Sequence, residues 1–279
     1  MDFFCLGILL RPPIGRGPLG LLEGQYGFHP AADSVKWSVF CMLTALVTGG
    51  SRGIGAQIVR DLCANGYRVA FFFLASKDKA RALSQETGAH AIVCDVRDAQ
   101  SVNQACEQAR QLLGHIDVLV NNAGVAQQKL FTDITDEEWD DMIGIHLSGT
   151  FRCCRAVLPE MIRRREGTIV NVSSMWGQIG GSCEVHYSAA KAGIIGLTKA
   201  LAKEVGLSGI TVNCIAPGVI RTAMLDTFSE EDLAALAEET PVGRIGTPED
   251  VADTAVFLAG DGARFISGQV IGVNGGFVV

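Results

Sequence analysis

Residues 43–55 read Leu43-Thr44-Ala45-Leu46-Val47-Thr48-Gly49-Gly50-Ser51-Arg52-Gly53-Ile54-Gly55. An apolar run of strand length meets a glycine-rich turn, and a helical pattern over 54–65 follows directly. Glycine in such a turn admits positive φ and leaves no Cβ in the path of a ligand. A helix that opens there aims free N–H groups and the positive end of its dipole at the edge of the sheet. The stretch predicts a strand–turn–helix unit with an anion-binding place above the turn.

The same alternation continues outward. Strands are expected at 43–48, 67–74, 90–94, 116–120, 168–172, 210–214 and 269–273. Helices are expected at 54–65, 77–87, 98–113, 136–165, 187–205 and 248–259. Several strands are unbroken apolar runs, such as Val69-Ala70-Phe71-Phe72-Phe73-Leu74. Runs of this kind suit a parallel sheet buried on both faces. The expected fold class is α/β: a Rossmann-type doubly wound parallel sheet in three α/β/α layers, forming a single domain over 43–279. Residues 1–42 lack either period and carry loop chemistry, as in Arg11-Pro12-Pro13. They are expected to be a flexible extension, or upstream sequence translated ahead of a natural start at Met42.

Composition narrows the function classes. Of 279 residues, 48% are hydrophobic and 19% charged, an ordinary globular balance. The net charge of −7 comes without any basic block, so nucleic acid is not an expected partner. Nine cysteines are an odd number with no C-x-x-C pair, which favours reduced thiols in the cytoplasm over disulfides or a metal site. No apolar run approaches the ~18–20 residues of a membrane span. Phe3–Leu10 is apolar but has no basic residue ahead of it, so no signal peptide is expected.

Thr48, Gly49, Ser51, Arg52, Gly53, Ile54 and Gly55 are the expected cradle for the pyrophosphate of a dinucleotide. Sites for NAD usually place a carboxylate at the end of the second strand. Here Phe72-Phe73-Leu74-Ala75-Ser76-Lys77 has none before Asp78. Arg52 and Lys77 would attract a 2′-phosphate instead, so NADP(H) is expected over NAD(H). Asp95 and Val96, after the third strand, would border the adenine. Asn122, Ala123 and Gly124, after the fourth, would lie at the ligand-binding edge.

Tyr187 and Lys191 stand four apart in Tyr-Ser-Ala-Ala-Lys, on one face of a helix. A phenol near its ordinary pKa of ~10 is a poor acid–base at neutral pH. The adjacent ammonium is expected to lower that value, and to reach the ribose of the nicotinamide. Ser174 closes a strand upstream and can hydrogen-bond a substrate oxygen as charge develops there.

These motifs in this order resemble the short-chain dehydrogenase/reductase family across about 43–279. The resemblance implies a nicotinamide cofactor and hydride transfer between carbonyl and alcohol. It also implies that Tyr187 is the proton donor, Lys191 its activator and Ser174 the carbonyl polariser. Pro217, Gly218, Ile220 and Thr222 would contact the cofactor, and the chain would form a homotetramer. Where many members carry Asn on the fourth helix, this sequence has His146. Imidazole both donates and accepts, so His146 either relays a proton or is a packed polar residue.

The sequence is most like 3-oxoacyl-(acyl-carrier-protein) reductases, with the ketone attached to a carrier. A narrower likeness, in Ser174-Met175-Trp176-Gly177 and Gly181 to Tyr187, is to reductases of the 5-aminopentanone group on elongation factor P. Glu184 could pair with the ammonium of such a substrate, or be a solvated carboxylate. Arg163-Arg164-Arg165 either docks an acidic partner or satisfies a helix C-terminus. Val219–Thr240, with Met224 toward the substrate, would form a lid. A non-catalytic NADPH sensor is the remaining alternative.

Overall fold

A computed structural model describes residues 42–226 and 228–279. The expected extension lies outside them except for Met42. Seven strands, all parallel, run in the order β3-β2-β1-β4-β5-β6-β7. They are β1 Thr44–Thr48, β2 Arg68–Phe73, β3 His90–Val93, β4 Val118–Asn121, β5 Gly167–Val172, β6 Ile210–Pro217 and β7 Val270–Val273. The helices are α1 Gly53–Ala64, α2 Lys77–Thr87, α3 Ala99–Leu113, α4 Asp136–Ile143, α5 Gly149–Arg164, α6 Trp176–Ile179, α7 Val185–Val205, α8 Glu230–Glu239 and α9 Pro248–Ala259.

The period of two along each strand sorts the core into layers. Val47 and Phe71 pack with Ile58 and Leu62 of α1 and with Val251 and Leu258 of α9. Leu46 and Phe72, one residue along, pack on the opposite face with Val102 of α3 and with Val157 and Met161 of α5. Every residue of β1 is buried, as expected of a central strand covered on both faces.

Seven strands stand where the sequence places them, with ends shifted by a few residues. The helix expected over 136–165 is three pieces: α4, a π-helical turn at Gly144–Ser148, and α5. Gly149 lies so close to Val96 that an added Cβ would be 3.0 Å from its Cγ2. Within the segment expected to form a lid, Glu230–Glu239 fold as the helix α8. Ser229 and Asp232 form its capping box.

Asp117 ties the bottom of the sheet together. Its carboxylate accepts from the Thr44 amide at 2.8 Å and the Thr44 hydroxyl at 3.0 Å, and forms an ion pair with Arg164. Arg165 ends α5 in the left-handed region, φ 57, and donates to the Leu207 carbonyl. The arginine run is therefore committed mainly to the helix terminus, and the docking reading retains little beyond Arg163. Burial pushes the Asp117 carboxyl up, but Arg164 and the Thr44 amide outweigh it and hold it below its ordinary value.

Removing this charge strands the half-buried Arg164 guanidinium and the buried Thr44 donors, so Asp117→Ala is expected to cost about 3 kcal/mol. The folded-state pKa is depressed, so the contribution is complete above the unfolded value of ~3.9 and fades as pH falls through the folded one. Urea melts at neutral and acid pH should show the variant losing less stability than the wild type on acidification.

Candidate active site

The strand order reverses at β1 and β4, which opens a crevice above their C-terminal ends. Hydrogen bonds fix its floor. The Thr48 hydroxyl accepts from the amides of Asn122 and Ala123, both at 3.0 Å. The Asn122 side chain donates to the carbonyls of Thr48 and Gly49, both at 3.1 Å. Gly49 and Gly53 take φ of 66 and 54. A Cβ on Gly55 would stand 2.3 Å from the Gly49 oxygen. Gly124 is equally confined, because its Cβ would meet the His146 ring.

The start of α1 fits an anionic group. Arg52 caps it in extended backbone with no side-chain hydrogen bond, and the first turn holds no carboxylate. In contrast, Asp98, Thr135 and Ser229 cap α3, α4 and α8 with their own side chains. Ser51 and Ile54 flank this turn, half-buried. Arg52 is exposed, and among the described residues no carboxylate pairs with it. Thr222 lies across the turn, with its Cγ2 3.5 Å from where a Gly53 Cβ would be.

The other residues expected to hold the cofactor also have partners within the chain. The Asp95 carboxylate is engaged by Arg97 at 2.9 Å, and Arg97 also holds Asp141 of α4. Arg97 thereby links the end of β3 to α4. Val96 is buried against Gly149. Gly218 packs on Asn274. Ile220 is buried, joins the α1–α9 core layer and borders a separate cavity of about 380 Å³ beside β7. Met224 lies on the short turn Ala223–Leu225, and its side chain is outside the described residues.

The reactive groups meet where β5 ends. The Ser173 hydroxyl donates to the Lys191 carbonyl at 2.8 Å, and Lys191 Nζ donates to the Val172 carbonyl at 2.9 Å. This two-way clasp sets the rotation of α7 on the sheet. Lys191 Nζ then lies 5.5 Å from the Tyr187 ring centroid. Ser174 accepts from the Trp176 amide at 3.2 Å, and its hydroxyl is near enough to Tyr187 to oppose the rise of the phenol's pKa. Ser174, Tyr187 and Lys191 thus lie together past the C-terminal end of β5.

The electrostatics correct one expectation. Burial pushes the Tyr187 phenol up to about 12, with Ser174 opposing and the Glu184 charge adding to the rise. Lys191 is itself lowered to about 8 by burial. The lysine does not make this phenol unusually acidic, because enclosing both groups penalises both charged forms. Tyr187 stays protonated throughout the neutral range, which suits a proton donor.

His146 sits on the π-helical turn, buried, with its ring perpendicular to that of Tyr187 at 5.3 Å. Burial and the Lys191 charge hold its pKa well below the ordinary value, so the imidazole is neutral. Its Nε2 lies 2.8 Å from the Val125 carbonyl, and its Nδ1 has no partner among the described residues.

A second wall was not legible in the sequence. Gln127 bonds His186 at 2.9 Å, Gln128 donates to Glu184 at 3.4 Å, and the Lys129 amide donates to the Cys183 carbonyl at 2.7 Å. The loop after β4 is thereby laced to the segment leading into Tyr187. Glu184 is half-buried there, and burial raises its carboxyl. It is not a freely solvated carboxylate.

Comparison with known proteins follows the same line. Residues 49–278 match the family model described as Enoyl-(Acyl carrier protein) reductase. The chain is 43% identical over 238 residues to the 3-oxoacyl-(acyl-carrier-protein) reductase FabG of Staphylococcus aureus (strain Mu50 / ATCC 700699), covering 84% of this chain and 97% of the relative. It is 46% identical over 233 residues to the acetoacetyl-CoA reductase of Rhizobium meliloti (strain 1021), covering 83% and 97%. The FabG of Escherichia coli (strain K12) is 41% identical over 234 residues, covering 83% and 96%. Among the described residues, no helix is long and apolar enough to cross a membrane.

Proposed function

The chain belongs to the short-chain dehydrogenase/reductase family, and from that premise we propose that it is an NADPH-dependent reductase of carrier-attached 3-oxoacyl groups. The gathering of Ser174, Tyr187 and Lys191 past the C-terminal end of β5 carries this reading. The uncapped start of α1 would hold the pyrophosphate, Arg52 the 2′-phosphate, and Thr222 and Asn122–Gly124 the nicotinamide side. When bound, NADPH supplies a hydride to the carbonyl carbon.

The chain's own residues manage the oxygen. Ser174 donates a hydrogen bond to it and fixes the carbonyl's orientation. As negative charge grows, Tyr187 passes its proton to that oxygen and the alcohol forms. An alkoxide is far more basic than a phenolate, so a phenol at about 12 is a competent donor. The Lys191 ammonium stabilises the phenolate left behind, which regains a proton from solvent once the alcohol leaves, while the neutral His146 ring packs edge-on against Tyr187.

Purified protein should oxidise NADPH with an acetoacetyl thioester; folded protein without turnover on any ketone rejects the proposal. Arg52→Glu should lower the NADPH-over-NADH preference about a hundredfold in kcat/KM, as loss of a charge-assisted hydrogen bond implies. An unchanged preference would remove Arg52 from the cofactor site.

Glu184 favours a second substrate reading. It is a half-buried carboxylate beside Tyr187 whose hydrogen-bond partner is a neutral amide, so a cationic ketone would relieve its burial. The 5-aminopentanone group on elongation factor P has that chemistry. Side-by-side assay of both ketones decides between them. The gathered triad leaves a purely NADPH-sensing role without a geometric argument. We further infer a homotetramer in the cytoplasm; light scattering that detects only monomer would contradict the assembly.

A further inference from the structure

A ketone whose carbonyl lies at Ser174 and Tyr187 has the segment 175–184, which includes α6, beside its reacting oxygen, and the C-terminal tail packs on that segment. Trp176 opens α6, two residues past Ser174, with its amide on the Ser174 hydroxyl. The Met175 amide is bonded to the Pro217 carbonyl at 2.9 Å, which anchors the segment to β6. The indole lies over Gly181, where a Cβ would stand 3.0 Å from Cδ2. The Phe277 ring meets the indole edge to face, with centroids 6.2 Å apart and planes at 90°.

Phe277 belongs to a tail that is wedged in place. Asn274 accepts from the Gly276 amide and donates to the Val278 carbonyl, each at 3.0 Å. The Val242 amide bonds the Gly275 carbonyl, and a Cβ on Gly275 would lie 2.6 Å from Thr240 at the end of the lid segment. The positive φ of Gly275 and Gly276, 63 and 85, lets the chain make this fold. Phe277 is therefore presented by a rigid support, and neither its ring nor Trp176 is fully buried.

We propose that Trp176 and Phe277 form the wall against which the ketone's non-reacting arm packs, so that the C-terminal tail sets substrate selectivity. The inference rests on the reductase reading above. Edge-to-face aromatic pairs resist displacement, and an apolar pocket discriminates by the space that it denies. The Phe277 ring limits the room beside the indole, so shortening it should admit bulkier arms.

The experiment compares kcat/KM for acetoacetyl and long-chain 3-oxoacyl thioesters in wild type, Phe277→Ala, Phe277→Leu and Trp176→Phe, each checked for a native circular dichroism spectrum. Phe277→Ala should raise the long-over-short ratio about tenfold, chiefly through KM, the value of roughly one methylene in an apolar pocket. Phe277→Leu, which keeps the tail's packing, should move the ratio the same way by less. If the folded Phe277 variants keep the wild-type ratio, whatever happens to absolute rates, the residue only packs and the proposal is overturned. If the wild type reduces none of the ketones, the reductase reading itself falls and the wall with it.

Discussion

Tyr187→Phe should lower kcat for ketone reduction by about a thousandfold, within the range that a positioned proton donor contributes, while NADPH binds as tightly as to the wild type. The ring, its perpendicular contact with His146 and its packing on α7 all survive the substitution. Only the hydroxyl beside Ser174 is lost, so equal losses in kcat and kcat/KM are expected, the signature of an interaction made in the transition state. The pH profile adds a sign. The phenol remains protonated up to about 12, whereas Lys191 is charged only below about 8. Reduction should therefore hold steady on the acid side of Lys191's value and decline as pH rises through it. Lys191→Met should be slow at every pH and lose that inflection. Tyr187→Phe with wild-type turnover would remove the phenol from the chemistry.

Gly55→Val is expected to abolish detectable NADPH binding and to destabilise the chain by 1–3 kcal/mol or more, as overpacking does. Its Cβ would stand 2.3 Å from the Gly49 carbonyl oxygen and 2.4 Å from Asn122 Nδ2, so neither neighbour can yield without breaking the floor of the crevice. Gly196→Ala is the internal control. It lies mid-way along α7 with nothing within 4 Å of the added Cβ, so it should stabilise by about 0.5–1 kcal/mol. Thermal melts and NADPH fluorescence titration check both variants. If Gly55→Val binds NADPH normally, the cofactor does not use this turn.

The central strands were legible because burial on both faces writes itself as unbroken apolar runs, as in β1 and β2. The triad was legible because Tyr187 and Lys191 share a helix and their spacing alone places them together. What failed to show has physical causes. The π-helical turn at Gly144–Ser148 adjoins Gly149, which packs against Val96, a contact between distant segments. The Tyr187 pKa depends on enclosure, which spacing does not reveal. The lacing of Gln127 and Gln128 to His186 and Glu184 joins segments 59 and 56 residues apart, with no local pattern at either end. Trp176 and Phe277 meet for the same non-local reason. The Ser229 and Asp232 capping box was readable, but a lid reading of the whole segment obscured it.

The most direct test follows an isotope. The full chain is mixed with NADPH carrying deuterium at the transferable nicotinamide position and with an acetoacetyl thioester, and the product is weighed by mass spectrometry. Deuterium on the new carbinol carbon, one per NADPH consumed and lost with Tyr187→Phe, is the expected result. NADPH bound but never consumed, or product without the label, would contradict hydride transfer at this site.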